Sequence, residues 1–269
     1  MVAEIGLYLN TGNNYKTAGQ NSFESFNSPC PSVFTKSGTR QSVQQGIKTD
    51  RFDINGKIDV SFGQGTKLND CWLLASIYSI ANTPNGKKLI EDSITLLPDN
   101  KVRVTLKGVN CSYIYDRDYV KSRNDLAGGD LDVRLLEIAV ENYMKEYPQR
   151  NKNHLDGNRP WVAFKILTGK GARNKDSESN ITGTLSDYKI DSFNDENYIG
   201  IVWKNTNVSK TFKTSNGKSL TLEGSHTYSV AGSDSNNVYL VNPHDTSEKI
   251  AVPRNIFKNF FNRIDEFYL

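Results

Sequence analysis

The chain has 269 residues, 36% of them hydrophobic and 23% charged, with 33 Lys and Arg against 30 Asp and Glu. That length suits one large domain or two lobes. A net charge of +3 without blocks of like charge gives no footprint for nucleic acid or an anionic membrane surface, and no run approaches the roughly 20 apolar residues that span a bilayer.

Three cysteines, Cys30, Cys71 and Cys111, do not make a disulfide framework, and their odd number leaves at least one free thiol. The first residues are too few and too polar for a signal peptide. The expectation is a soluble, cytoplasmic protein with free thiols, which can be one part of a larger polypeptide.

Residues 1–50 are rich in Asn, Gly, Ser, Thr, Lys and Gln. Apart from a short strand in I-G-L-Y-L, they read as a polar N-terminal extension with a covering or regulatory role. Cys30, between prolines in S-P-C-P-S, is a loop thiol. The run R-F-D-I-N-G-K-I-D-V-S-F places Asn55-Gly56 between alternating apolar positions, the pattern of a two-residue hairpin turn.

From Gln64 a polar loop leads to Cys71 and then to Trp72, Leu73, Leu74, Ala75, Ile77, Ile80 and Ala81. Apolar residues cover most of a helical wheel, so this helix is buried on nearly all sides. Asn69 and Asp70 are suitable N-caps, and Pro84 stops the helix near Asn82. G-K-K-L-I-E-D-S is a short surface helix. K-V-R-V-T-L-K-G and C-S-Y-I-Y-D pair as a hairpin, with Cys111 a packing residue in its second strand. The clearest amphipathic helix runs from Asp130 to Tyr147, with Leu131, Leu135, Ile138, Ala139 and Tyr143 on its apolar face.

A polar link containing His154, a loop residue, follows. After W-V-A-F-K-I-L-T-G-K-G the pattern turns to strands: N-Y-I-G-I-V-W-K-N, a hairpin about Asn216-Gly217, and the pair H-T-Y-S-V-A-G and N-V-Y-L-V-N. A short helix, R-N-I-F-K-N-F-F, and a closing strand, R-I-D-E-F-Y-L, complete the chain. The order predicts an α+β fold of two lobes: a helical lobe over residues 51–155 and a β-rich lobe over 156–269.

A cysteine at a helix N-terminus meets free N–H groups and the positive end of the dipole, which lower a thiol pKa. That makes Cys71 a candidate nucleophile; a buried structural cysteine is the plainer reading. A nucleophile needs a base and a group that orients the base. His226 opens one strand of the late pair, and Asn242 ends the other. If those strands pair antiparallel, Asn242 reaches the His226 imidazole. Gln64, seven residues before Cys71, carries an amide able to stabilise an oxyanion together with the Cys71 backbone N–H. His244 is a turn residue, with a substitute base or substrate contact as further readings. The spacing of histidines and cysteines does not match a zinc site.

Taken in order, several stretches resemble the calpain protease core, a branch of the papain-like cysteine peptidases. Q-G-T-K-L-N-D-C-W-L-L-A-S is similar to the family's nucleophile segment and G-S-H-T-Y-S-V-A-G to its Gly-His-Ala-Tyr-Ser-Val motif. D-L-D-V-R-L-L-E-I-A-V-E-N-Y, A-F-K-I-L-T-G-K-G and V-N-P-H-D resemble its Leu-Leu-Glu-Lys-Ala, Gly-Phe-x-x-x-Thr-Gly-Gly and Arg-Asn-Pro-Trp-Gly segments. The resemblance spans about Asp50 to Leu269. It implies a two-lobed papain-like fold with the site in the cleft, and an endopeptidase acting on protein or peptide substrates through an acyl-enzyme. Cys71, His226 and Asn242 would be catalytic, with Gln64 at the oxyanion hole.

The resemblance requires no cofactor but admits calcium, with Glu137 at one acidic position of the family; Ser61, with Asp59 nearby, stands at the other. The Gln-to-Cys spacing is one residue longer than in the family, Ser225 is extra, and His244 replaces a Trp. Papain-like folds also carry deamidases and transglutaminases acting on Gln side chains, so that chemistry and a non-catalytic binding module stay open as alternatives.

Overall fold

The structure is a computed structural model. It describes residues 34–36, 53–65, 68–148, 155–170, 178–180, 190–204, 206–213, 217, 219–261 and 263–269. The expectations for I-G-L-Y-L, Cys30 and His154 lie outside the described residues.

The fold is mixed α+β with antiparallel sheets. Strand β1 (Phe34–Lys36) leads to helices α1 (Cys71–Ala81) and α2 (Pro84–Glu91), then strands β2 (Ile94–Leu97), β3 (Lys101–Leu106) and β4 (Cys111–Asp116). Helices α3 (Arg117–Ser122), α4 (Leu131–Glu146) and α5 (Pro160–Thr168) follow. The rest is mostly strand: β5 (Glu178–Asn180), β6 (Tyr198–Lys204), β7 (Lys210–Lys213), β8 (Ser219–Leu222), β9 (His226–Ser233), β10 (Asn237–Asn242) and β11 (Asp245–Pro253). Helix α6 (Arg254–Phe260) and strand β12 (Arg263–Tyr268) close the chain.

A four-stranded sheet has the order β1-β4-β3-β2, with β1 parallel to β4 and the other pairs antiparallel. A six-stranded antiparallel sheet has the order β11-β10-β9-β6-β12-β5, and β7 pairs with β8 apart from it. The β3–β4 and β7–β8 hairpins and the β9–β10 pair form as the sequence predicts.

Every residue of α1 is buried, as its all-round apolar pattern requires. It packs among α2, α4 and α5 on one side and against β6 and β9 on the other. One core joins the helices to the β3–β4 hairpin and also takes in Ile199, Ile201, Val241 and Phe267 from the six-stranded sheet. A second core lies on the opposite face of that sheet, where Tyr198, Val202 and Leu240 meet Phe257, Phe260 and Phe261. Because β6 is covered on both faces, its run Tyr198–Val202 is buried throughout and shows no alternation. Helix α5 packs on α1, and its Phe164 stacks on Phe267 of β12 at 3.9 Å between ring centroids. The change to strands therefore comes after this helix.

Two expectations are corrected. Residues around Asn55-Gly56 form no hairpin. The Asn55 and Gly56 N–H groups donate to the Asp132 carboxylate at 3.0 and 3.1 Å, and Asp59 N–H to Asp130 at 2.5 Å. Carboxylates at the start of α4 thus take the donors that a β-ladder would have used. Cys111 packs in the core as expected, but it is disulfide-bonded rather than a free thiol. The free-thiol argument for a reducing compartment therefore fails for Cys111. No helix among the described residues is long and apolar enough to cross a membrane.

Candidate active site

Cys71 is the first residue of α1 and is 9% exposed. Asp70 precedes it as the N-cap but makes no side-chain capping bond. Its carboxylate turns inward, is fully buried and meets Glu137 of α4, also fully buried. Burial raises the Asp70 pKa to about 6, and raises Glu137 well above its usual range, reinforced by the neighbouring Asp70 charge. Neither Asp70 oxygen has a donor in good hydrogen-bond geometry, although the Gln64 amide lies near enough to favour the ionised form, and one Glu137 oxygen lacks a donor too. One proton held by Glu137 and shared with Asp70 reconciles these facts. The other Glu137 oxygen accepts the Ala127 N–H at 2.9 Å.

The Cys71 thiol departs from expectation. Burial pushes its pKa up, and hydrogen bonds from the Thr227 side chain and backbone, with one from the Trp72 backbone, offset this only in part. The Glu223 charge pushes the same way as burial. The helix N-terminus is present, but desolvation of a nearly enclosed sulfur outweighs it. That direction favours the neutral thiol, so a base has to take its proton.

His226 opens β9 and is 6% exposed. Strands β9 and β10 are antiparallel, with Val241 opposite Ser229, which brings Asn242 beside His226. The His226 Nε2 to Asn242 Oδ1 distance is 2.8 Å. The same Oδ1 accepts the backbone N–H of His244 at 3.0 Å. A backbone N–H can only donate, so that Asn242 atom is the oxygen. His226 must then donate from Nε2, and Nδ1 carries the lone pair. Tyr228 meets the imidazole edge-on at 4.9 Å between centroids, and His244 stacks on it at 4.6 Å with rings 5° from parallel. Burial lowers the His226 pKa; the Asn242 bond and the Glu223 charge oppose this, and the His244 charge adds to it.

The turn before His226 is tight. Ser225 has φ of 48° and donates its N–H to the Thr206 carbonyl at 2.8 Å. A Cβ on Gly224 would lie 2.3 Å from the same carbonyl oxygen, so only glycine fits there.

Cys71 and His226 line one open pocket of about 270 Å³. Asn69 and Trp72 face it from around the start of α1, Arg159 from the start of α5, and Trp203, Lys204 and Thr227 from β6 and β9. The Arg159 guanidinium lies over the Trp203 ring at 5.5 Å, linking the two walls. Gln64 is not on the lining. Its backbone N–H donates to the Pro243 carbonyl at 2.8 Å, so its loop is tied to the turn after β10. Its side-chain Nε2 donates to the Leu68 carbonyl at 2.7 Å. The loop residues 66–67 that carry the extra spacing lie outside the described residues.

No family model matches the chain, and no curated protein matches its sequence. What the site can do therefore rests on its own geometry. The structure brings together Cys71, His226 and Asn242 and sets Gln64 one loop away. It places Glu137 of α4 beside Asp70, next to Cys71, in the helix core. Sequence reasoning missed Thr227, whose only signal is adjacency to His226, and Glu223, which directly follows the preceding strand. It also missed that His244 stacks on His226 as well as occupying a turn.

Proposed function

We propose that this chain is a calpain-like cysteine endopeptidase with a papain-like arrangement of two lobes about a cleft. One observation carries the proposal: Cys71 and His226 line the same pocket, and His226 is held by Asn242 with its Nδ1 lone pair available. Cys71 Sγ attacks a peptide carbonyl carbon as His226 Nδ1 takes the thiol proton. The carbonyl oxygen becomes an oxyanion beside the Cys71 backbone N–H at the start of α1. Collapse expels the amine, which leaves with the proton from His226, and gives a thioester at Cys71. Water, deprotonated by His226, then releases the acid. Asn242 touches no reacting atom; it keeps Nε2 protonated and the ring in place.

The Gln64 amide is engaged inward: it donates to the Leu68 carbonyl and favours the ionised form of the Asp70 carboxylate beside it. It serves an oxyanion only once its loop turns the amide outward and brings an N–H to roughly 3 Å. We assign no calcium to Glu137. Its carboxylate is fully buried and accepts the Ala127 N–H, and burial together with the Asp70 charge favours its protonated form. Calcium takes about six to eight oxygens, with ionised carboxylates among them, and this donor set does not fit it.

The test is cleavage of a mixed peptide library by the full chain, with Cys71→Ala as control. Chain cleavage that is absent from the control is the expected result. Ammonia release without cleavage would replace the proposal with glutamine deamidation. No turnover by either form, with partner binding retained, would replace it with a binding module.

A further inference from the structure

Glu223 and His244 meet His226, which also lines the pocket. One ligand atom from each lies within 4.8 Å of the others. They come from three places in the fold: the residue after β8, the start of β9 and the β10–β11 turn. The Glu223 carboxylate is 3.5 Å from His244 Nε2. We infer that this trio is a binding site for a divalent transition-metal ion of the zinc type, and that its occupancy switches the enzyme off. The inhibition rests on the proposed role of His226; the metal site itself does not.

The donor set argues for zinc over the hard cations. Two imidazoles and one carboxylate are borderline ligands suited to zinc, and they leave a fourth position for water. Calcium and magnesium prefer all-oxygen shells. The support around His226 is already in place. A metal-bound imidazole commonly donates its second N–H to a carbonyl or carboxylate that fixes the ring, and Asn242 Oδ1 accepts the Nε2 proton of His226. Nδ1 is then the nitrogen open to a metal.

Ligands at about 2.0 Å from a tetrahedral ion stand about 3.3 Å apart, so the trio has to close by an ångström or so. The His244 ring, which stacks parallel on His226, also has to turn so that the two ring planes meet at the ion, because imidazole lone pairs lie in the plane of the ring. His244 and Glu223 can supply both movements, since their side chains are 46% and 43% exposed, while His226 stays fixed. An ion on Nδ1 removes the lone pair that takes the Cys71 proton. The nucleophile is then left as the neutral thiol that its burial favours.

Cobalt(II) serves as a coloured substitute for zinc in a titration of the full chain at neutral pH. The expected result is one cobalt per chain, with tetrahedral absorption and no sulfur-to-cobalt charge-transfer band, displaced by zinc. His244→Ala and Glu223→Gln should each weaken binding at least about tenfold, while Cys71→Ala should bind as the parent does. Both side chains are half-exposed, so these variants leave the cores untouched. Binding equal in parent and both variants overturns the site, as does absence of stoichiometric binding. A charge-transfer band that disappears in Cys71→Ala also overturns it, by placing the ion on sulfur. Zinc should abolish peptidase activity over the concentration range in which it displaces cobalt. Cobalt binding as expected in a chain without peptidase activity upholds the site and removes the functional reading instead.

Discussion

Ser229 Oγ donates a hydrogen bond of 2.8 Å to the Ala75 carbonyl. Ser229 lies three residues after His226 on β9, and Ala75 lies four residues after Cys71 on α1. Both residues are almost fully buried. This bond fastens the strand that carries the proposed base to the helix that carries the proposed nucleophile. Replacing Ser229 with Ala removes the donor and leaves a carbonyl that already serves the helix ladder. The expected loss is about 1 kcal/mol of stability, read as a lower urea midpoint. A several-fold fall in kcat should accompany it, because small displacements of reacting groups are amplified in rate. An unchanged kcat with the lowered midpoint would show that other contacts fix the Cys71–His226 geometry.

Asn242 acts through His226. In Asn242→Ala the imidazole loses its only described acceptor at Nε2, and both tautomers and several ring orientations become available. The expected effect is a fall in kcat of about 100-fold with KM little changed. Asn242→Asp keeps an oxygen for both Nε2–H and the His244 N–H, so it should recover most of the rate. Equal losses in the two variants would mean that packing, rather than the acceptor, is what Asn242 supplies.

The Gly224–Ser225 turn sets where β9 begins. A methyl group at position 224 would meet the backbone oxygen of Thr206 at 2.3 Å, and a backbone atom cannot swing aside as a side chain can. Gly224→Ala should therefore shift the start of β9, lowering stability by about 1–3 kcal/mol and reducing activity more than Ser229→Ala does. Ser225→Gly offers the contrast. Its φ of 48° costs glycine nothing, so the fold should tolerate it, as a urea midpoint at or above the parent's would confirm.

How far such features were legible in the sequence follows from where their causes lie. Helix α1 was readable because burial on all sides leaves a wholly apolar segment, and α4 because it has an apolar face. The β9–β10 pairing was readable from two strands and a turn, and it correctly brought Asn242 to His226. Three kinds of feature were not readable. Helix α5 has nine residues and is buried along most of its length, so it shows too little periodicity to be told from a strand. Strand β11 is mostly exposed and polar, with only Thr246 and Val252 fully buried. Asn55-Gly56 has a turn signature, but its N–H groups are claimed by Asp132, 77 and 76 residues away. The direction of the Cys71 pKa belongs with these. The helix N-terminus is visible in the sequence, whereas the enclosure that outweighs it comes from β9, far along the chain.

The buried carboxylates give the fold a pH dependence of definite sign. Burial raises Asp70 to about 6, Asp130 to about 7 and Asp132 to about 6, against ordinary values near 3.8. A carboxyl raised in the folded state favours folding while it is protonated there and ionised in the unfolded chain. Its contribution is complete below about pH 3.8 and is lost as pH rises through the folded value. Stability should therefore fall between about pH 4 and pH 7 through these groups. His226 acts in the opposite sense: its lowered pKa gives stability above its ordinary value that is lost as pH falls. Three carboxyls outweigh one imidazole, so the urea midpoint should be higher at pH 5 than at pH 8. Asp130→Asn isolates one contribution. Its amide oxygen can still accept the Asp132 N–H at the start of α4, but it binds no proton, so the slope of stability against pH should become shallower. A midpoint that rises from pH 5 to pH 8, in the parent and in Asp130→Asn alike, would mean that these carboxylates are ionised in the folded chain and held by their backbone N–H donors.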